Sequence, residues 1–192
     1  MKRYMAKIKK RLLQPITYNL LPGGFTLIET LVAVLLLVSA IAGPLTIAAK
    51  GLSAALIARD QMIAFYLAQD GVEYVRYVRD SNRLSTPPNP WLTGLSDCTG
   101  ASGCTIDPTS GVVATCSGAC AFLNKYDDGS GHRYFSYSQG TQTPQRFLRI
   151  ITLASPTSGS ATEQILTVSV SWRAQSGATR TITVRENILD WQ

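Results

Sequence analysis

The chain has 192 residues, with 18 Lys and Arg against 12 Asp and Glu and a formal net charge of +6. Its 16% charged and 45% hydrophobic residues exclude an intrinsically disordered polymer and a collagen-like repeat. The length is sufficient for one domain and an additional segment.

Positive charge is concentrated at the N-terminus. Six basic residues precede the first acidic residue, and the other 12 basic residues are balanced by 12 acidic residues. The body of the chain is therefore neutral and gives no support to a nucleic-acid-binding surface. A short cationic start is instead typical of a cytoplasmic anchor or of the first region of a targeting signal. The six residues are Lys2, Arg3, Lys7, Lys9, Lys10 and Arg11.

The next segment is long and apolar enough to cross a bilayer. Residues 30–49 carry no charged side chain. As a helix rising ~1.5 Å per residue they would span ~30 Å, the thickness of a hydrocarbon core. By the positive-inside rule, the basic start predicts a single-pass protein of the cytoplasmic (inner) membrane, with the N-terminus inside and the C-terminal part outside.

A cleaved secretory signal peptide is the alternative interpretation of this segment. Ala40-Ile41-Ala42 would supply the small residues of the cleavage site. Glu29 argues against it, because an acidic residue inside an apolar stretch costs on the order of 3 kcal/mol on insertion scales. Pro44, at the second position after the cut, also argues against it, so we favour the membrane span.

Glu29 itself has two explanations. Thr26 and Glu29 fit the capping-box pattern at a helix start, where the helix dipole also favours an anion. A buried cation could also stabilise the carboxylate in lipid, and a chain cut before Phe25 would supply an α-amine for this purpose. The cap explains the residue type, whereas only a partner explains a charge at this depth.

The residues from Pro22 to Ala33, PGGFTLIETLVA, resemble the class III signal of type IV prepilins and type II secretion pseudopilins. The resemblance implies that a prepilin peptidase/methyltransferase cuts between Gly24 and Phe25 and N-methylates Phe25. It also implies that Glu29 pairs with the N-terminus of a neighbouring subunit during filament assembly. Glycine before the cut lets a protease approach the backbone closely, because it has no Cβ.

The same resemblance divides the chain into four segments. Residues 1–24 are a basic leader that is removed, and residues 25–49 are the transmembrane and assembly helix. Residues 50–84 are the exposed amphipathic half of that helix, and residues 85–192 are a β-rich exported globular domain. Gly43-Pro44 predicts either a simple kink or a short unwound stretch inside the helix.

The exposed half of the helix carries an apolar stripe for packing a domain. Asp60 and Asp70 interrupt the stripe. Arg76 is spaced to pair with Glu73 and Asp80 on a solvated face. The predicted stripe consists of Leu52, Leu56, Ile63, Leu67, Tyr74 and Val78.

The exported segment has the pattern of an antiparallel sheet. Prolines within residues 85–90 end the helix. Alternating apolar residues predict a strand at 166–173, with neighbours at 145–154 and 178–186 and a further strand at 132–137. We therefore expect an α+β protein in which the long helix packs on an antiparallel sheet, similar to the roll of pilins.

Four cysteines, Cys98, Cys104, Cys116 and Cys120, lie in a loop of the exported segment and predict two disulfides. We favour nested pairs, Cys104 with Cys116 across a hairpin and Cys98 with Cys120 outside it. Local pairing, 98 with 104 and 116 with 120, is the close alternative. A zinc site is the less favoured chemistry, because the spacings lack the short knuckles of zinc ribbons.

No catalytic motif is present in the sequence, so we expect no enzyme and no cofactor. His132, the only histidine, could pair with a cysteine but is more typical of an exposed turn. Asp127 and Asp128 could bind calcium but are more typical of a turn beside Gly129.

The expected function is that of a structural subunit, most similar to a minor pilin or pseudopilin, of a type IV pilus or a related secretion or competence filament. Its expected partners are other pilin-like subunits, the prepilin peptidase and the plasma membrane. The mature chain would then enter a periplasmic or extracellular filament. The alternative is a signal-anchored exported binding domain that does not polymerise.

Overall fold

The computed structural model describes residues 23–142, 146–157, 159–174 and 177–190. The chain divides into two compact units at the junction of Lys50 and Gly51. Parts of two predicted segments lie outside the described residues: the basic leader up to residue 22 and the strand residue Gln145.

One long helix, α1 (Leu27–Leu84), begins in the first unit and ends in the second. The Thr26 hydroxyl accepts a hydrogen bond from the Glu29 amide at 3.3 Å, which confirms this half of the capping box. The helix is unbroken across Pro44, so the predicted unwound stretch is wrong. Near the proline, the Thr46 hydroxyl donates to the Ala42 carbonyl at 2.6 Å, as Ser and Thr side chains do beside prolines in helices.

The helix ends where the proline segment predicts. Leu84 is its last residue, and the Ser85 hydroxyl donates to the Asn82 carbonyl at 2.7 Å. Proline disfavours the helical conformation for the residue before it, and this segment has three prolines within residues 85–90, so the helix ends here.

The second unit contains two antiparallel sheets. The larger has the strand order β2-β1-β6-β7-β8 and the smaller has the order β4-β3-β5. The strands are β1 (Cys104–Asp107), β2 (Val112–Thr115), β3 (Asn124–Asp127), β4 (Arg133–Ser136), β5 (Thr141–Gln142), β6 (Leu148–Ala154), β7 (Glu163–Arg173) and β8 (Thr179–Leu189). A short 3-10 helix (Ser96–Cys98) precedes them.

The meander of β6, β7 and β8 and the position of β4 confirm the predicted strands. The smaller sheet was not predicted. Its central strand β3 has the sequence Asn-Lys-Tyr-Asp, which is short and largely polar and therefore gives no strand signal.

The C-terminal half of α1 packs on the larger sheet, which confirms the α+β class. Gly71 marks the closest approach, because a Cβ there would lie 3.1 Å from Cγ1 of Val168 and 3.3 Å from Cδ1 of Ile151. The alternate residues of β7 face the helix and are buried. These are Leu166, Val168, Val170 and Trp172.

The predicted stripe is confirmed in part. Leu67 is buried, and Ile63, Tyr74 and Val78 are half-buried and pack against the core, whereas Leu52 is 65% exposed. Ala64, Ala68 and Gly71 are also part of the contact face, and their small size allows the helix to approach the sheet closely. The buried helix residues are Asp60, Ala64, Leu67, Ala68, Gly71, Val72 and Val75.

The disulfides join Cys98 to Cys104 and Cys116 to Cys120, so the favoured nested pairing is wrong and the local alternative is confirmed. The predicted β1–β2 hairpin does form, with Cys104 opposite Thr115. The Cys116 amide donates to the Gly103 carbonyl at 3.0 Å, so Cys116 is one residue out of step with Cys104. Successive residues of a strand face opposite sides, which prevents a bond across the hairpin.

Candidate functional site

The candidate processing segment lies at the start of α1 and is open to solvent. A Cβ added at Gly23 or at Gly24 would meet no atom within 4 Å, and Phe25 is 78% exposed. Nothing in the described residues therefore shields the Gly24–Phe25 bond.

Glu29 sits in the first turn of α1 on an otherwise apolar surface. It borders a shallow hollow of about 340 Å³ together with Ile28, Val32 and Leu36. Among the described residues, no hydrogen bond or ion pair to its carboxylate is observed. The capping contact uses the Glu29 backbone amide, so the side chain is left available for a partner.

The first-unit part of α1 presents an apolar surface on all sides. Every described residue in it is exposed, including Leu35 at 70% and Ile47 at 74%. By length and composition, α1 is a helix that could cross a membrane, the single such helix in the described part of the chain. In water this surface would be costly, because each Å² of apolar area left exposed forfeits ~25 cal/mol of burial free energy.

The second unit contains a buried cation that sequence reasoning missed. Arg149 of β6 is 1% exposed and donates to the carboxylate of Asp70 and to the carbonyls of Leu67 and Ile106, at 3.0 and 2.6 Å respectively. Its Nε is buried without a hydrogen-bond partner among the described residues. Arg149 therefore ties α1 to β1 through β6.

A second polar centre forms around Asp107 at the end of β1. Its carboxylate accepts hydrogen bonds from the Thr109 hydroxyl at 2.6 Å, the Ser136 hydroxyl at 2.8 Å and the Tyr137 amide at 3.1 Å. Burial alone would raise the pKa of Asp107, but these hydrogen bonds outweigh it and hold the pKa well below its usual range. Asp107 therefore joins the β1–β2 turn to the segment after β4 as a stable anion.

Between these two centres lies a cavity of about 470 Å³, here called the aromatic pocket. Its aromatic walls come from α1 and β4, its carboxylate is Asp70, and Thr109 adds a hydroxyl. The lining residues are Ile63, Tyr66, Leu67, Asp70, Pro108, Thr109, Tyr134 and Phe135.

The charged residues of the helix form only one of the two ion pairs that were predicted on its solvated face. Arg76 does pair with Glu73 at 2.7 Å, but it also makes a two-oxygen contact with Glu186 of β8 at 2.6 Å. Asp80 pairs with Arg79 instead, so the predicted Arg76–Asp80 pair is wrong. Arg76 therefore fastens α1 to the sheet edge.

The residues that could have bound zinc or calcium, namely the cysteines, His132, Asp127 and Asp128, form disulfides and a turn instead. All four cysteines are in disulfides, which leaves no thiol for zinc or for pairing with His132. The His132 Nδ1 lies 2.9 Å from Asp128 Oδ2, and the Gly129 amide donates to Asp127 Oδ1 at 3.1 Å. These contacts close an exposed turn, as the Asp-Asp-Gly sequence predicts.

No family model matches this chain, and no curated protein or solved structure is significantly similar to it.

Proposed function

We propose that the protein is a pilin-like structural subunit of a type IV pilus or a related type II secretion or competence filament, most similar to a minor pilin or pseudopilin. Cleavage between Gly24 and Phe25 removes its leader, and Phe25 is N-methylated. The apolar helix then bundles with the helices of other subunits. The mature protein starts in the cytoplasmic membrane with its second unit outside, and then enters the filament.

The observation that carries the proposal is the state of Glu29 and its surroundings. A carboxylate without an intramolecular partner in the described residues lies in the first helical turn, on a helix whose apolar side chains are all exposed in the first unit. A charge in lipid is retained where it is paired or functional. A neighbouring subunit with a free α-amine satisfies both requirements.

The packing of the second unit also supports the proposal. The C-terminal half of α1 is buried against the sheet of this unit. The N-terminal half, from residue 27 to residue 50, is exposed in the described part of the chain. A subunit that assembles through one end of its helix requires one half to be buried within the subunit and the other half to be exposed to its neighbours.

Processing is tested by the matched variants Gly24→Ala and Gly23→Ala. Both positions have open space for a Cβ, so neither variant disturbs folding. We expect Gly24→Ala to block processing in cells that contain a prepilin peptidase, while Gly23→Ala is cut normally. Equal processing of both variants would contradict the assigned cleavage position.

Assembly is tested by Glu29→Leu, with Thr30→Leu as the control in the same exposed turn. We expect Glu29→Leu to insert into the membrane and to be cut, but to be missing from sheared filaments, because the charge partner of the α-amine is lost. Thr30→Leu keeps the carboxylate and should assemble. Normal assembly of Glu29→Leu would show that the carboxylate has no intermolecular role. If neither the parent chain nor the control enters filaments, the protein is an anchored binding domain that does not polymerise.

A further inference from the structure

We propose that the aromatic pocket of the second unit binds a quaternary ammonium group. The proposal is independent of the function of the N-terminal helix, because every lining residue belongs to the second unit. Pockets of about 300–1,000 Å³ with apolar walls and a few polar groups are the usual form of small-ligand sites, and this cavity falls in that range.

The lining supplies aromatic surface for an organic cation, chiefly through Tyr66, because Tyr134 and Phe135 follow one another on β4 and their rings also contact Tyr126 and Phe147. Three of the eight lining residues are aromatic, namely Tyr66, Tyr134 and Phe135. A cation over an aromatic face is attracted by the negative face of the ring, and quaternary ammonium groups are recognised by clusters of such faces. Tyr66 is 62% exposed, so its side chain is accessible to a ligand without unfolding the core.

Asp70 supplies the negative charge. Arg149 bonds to its Oδ2, and no contact to Oδ1 is observed among the described residues. The side chain of Asp70 is 46% exposed, whereas that of Arg149 is 1% exposed. A ligand in the pocket can therefore reach the carboxylate but not the guanidinium.

The charged groups around the aromatic pocket, taken together, are also negative. Asp70 and Asp107 are two anions around one buried cation, Arg149, and no Lys or Arg is among the described residues that line the pocket. Asp107 adjoins the lining residues Pro108 and Thr109 and is held ionised by its hydrogen bonds. The pocket is therefore negative overall, which disfavours an anionic ligand.

The donor set disfavours a metal ion and a primary amine. Both oxygens of Asp107 are occupied by hydrogen bonds from Thr109, Ser136, Tyr137 and Ser138, which leaves Asp70 as the one lining carboxylate within the described part of the chain. A divalent cation requires about six oxygen ligands, and a primary ammonium requires acceptors for three N–H groups. A quaternary ammonium group has no N–H and needs only aromatic surface and a nearby negative charge.

The experiment compares choline with its uncharged isostere 3,3-dimethylbutan-1-ol on the full chain in dodecyl maltoside, by ligand-observed NMR titration. The two probes have the same shape, so their difference reports the charge. We expect choline to bind at least about tenfold more tightly, in line with a cation–π site that includes a carboxylate. Equal affinities, or no saturable binding of choline, would overturn the proposal.

Two variants locate the binding. Tyr66→Leu removes an exposed aromatic wall and should weaken choline binding at least about fivefold. Tyr77→Leu is the matched control, because Tyr77 is 65% exposed on the same helix and does not line the pocket. Equal affinities in the two variants would show that choline binds elsewhere and would overturn the proposal.

The charge is tested by a double variant. Asp70→Asn alone would leave Arg149 buried and unpaired, so it is combined with Arg149→Met to remove both charges together. We expect the double variant to lose the preference for choline over the alcohol. An unchanged preference in a folded double variant would contradict the role of Asp70, and if it fails to fold, the Tyr66 and Tyr77 variants decide the question.

Discussion

The two halves of α1 have opposite environments. From Leu27 to Lys50 every helix residue is exposed, whereas from Asp60 to Val75 one face is buried against a sheet. The second half uses small residues, Ala64, Ala68 and Gly71, to approach the sheet closely. The first half uses large aliphatic residues and has no such contacts among the described residues. The sequence of the second half is therefore explained by packing within the chain, whereas that of the first half is explained by the membrane and the neighbouring subunits of the proposed function.

The largest expected effect of a substitution is at Gly71. Gly71→Val should destabilise the second unit by ~2–3 kcal/mol, because the new side chain overlaps Val168 and Ile151. Gly51→Val is the matched control, since a Cβ there meets no atom within 4 Å. Urea unfolding of both variants followed by tryptophan fluorescence is the measurement. Comparable destabilisation of the two would contradict the packing contrast between the halves.

The next effect concerns the buried ion pair. Asp70→Asn should cost ~2 kcal/mol, because it leaves the buried Arg149 charge uncompensated, although the half-exposed position of residue 70 lets water approach. Arg149→Met should cost less, since the half-exposed Asp70 carboxylate can be hydrated. Thermal unfolding of the two variants shows which of them loses more stability. A larger loss for Arg149→Met would mean that the carbonyl contacts of Arg149 matter more than its charge.

Asp107 predicts a pH dependence. Its pKa is lower in the folded chain than the ordinary value of 3.8, so its hydrogen bonds stabilise the fold fully above about pH 5. That contribution is lost as the pH falls below 4 toward the folded pKa. Asp107→Asn should therefore reduce stability at pH 7 and flatten the decline between pH 5 and pH 2, as measured by urea unfolding at each pH. A parallel pH profile in the variant would rule out this role.

The two disulfides should differ in access. Cys98 and Cys104 are fully buried, whereas Cys120 is half-buried. We expect mild reductant to open Cys116–Cys120 first, and non-reducing peptide mapping to recover the two local pairs. Recovery of a peptide that links Cys104 to Cys116 would contradict the structure.

The smallest effect is expected in the first half of the helix. Leu35→Ala changes a side chain that is 70% exposed, and should shift the stability of the second unit by less than ~0.5 kcal/mol. Val75→Ala, at a fully buried position, should cost ~1–2 kcal/mol by the same measurement. Similar losses in both would show that the first half packs within the chain.

The fold was predictable where local patterns carry it. Alternation along residues 166–173 gives β7, and the prolines after Leu84 give the helix end. The helix face was predictable in part from large apolar residues such as Leu67, but its small members, such as Ala68, were missed because their burial depends on close helix–sheet contact. The disulfide pairing depended on a one-residue register between Cys104 and Cys116, which the spacing of the cysteines does not report.

The candidate sites also differ in how far the sequence alone predicts them. Gly24, Phe25 and Glu29 form a contiguous motif, so the sequence is enough to propose their roles. The aromatic pocket joins residues from 63 to 135, and its central ion pair joins Asp70 to Arg149 across 79 positions. A lone arginine in the alternating pattern of β6 would have been the available signal, because a charge at an inward position requires a buried partner.

The most direct test of the pilin-like assignment is the intact mass and N-terminal sequence of the protein extracted from its native membranes or sheared filaments. We predict a chain that starts at N-methylated Phe25. A chain that starts near Gly43, after a conventional signal cleavage, or that retains Met1 would contradict the assignment.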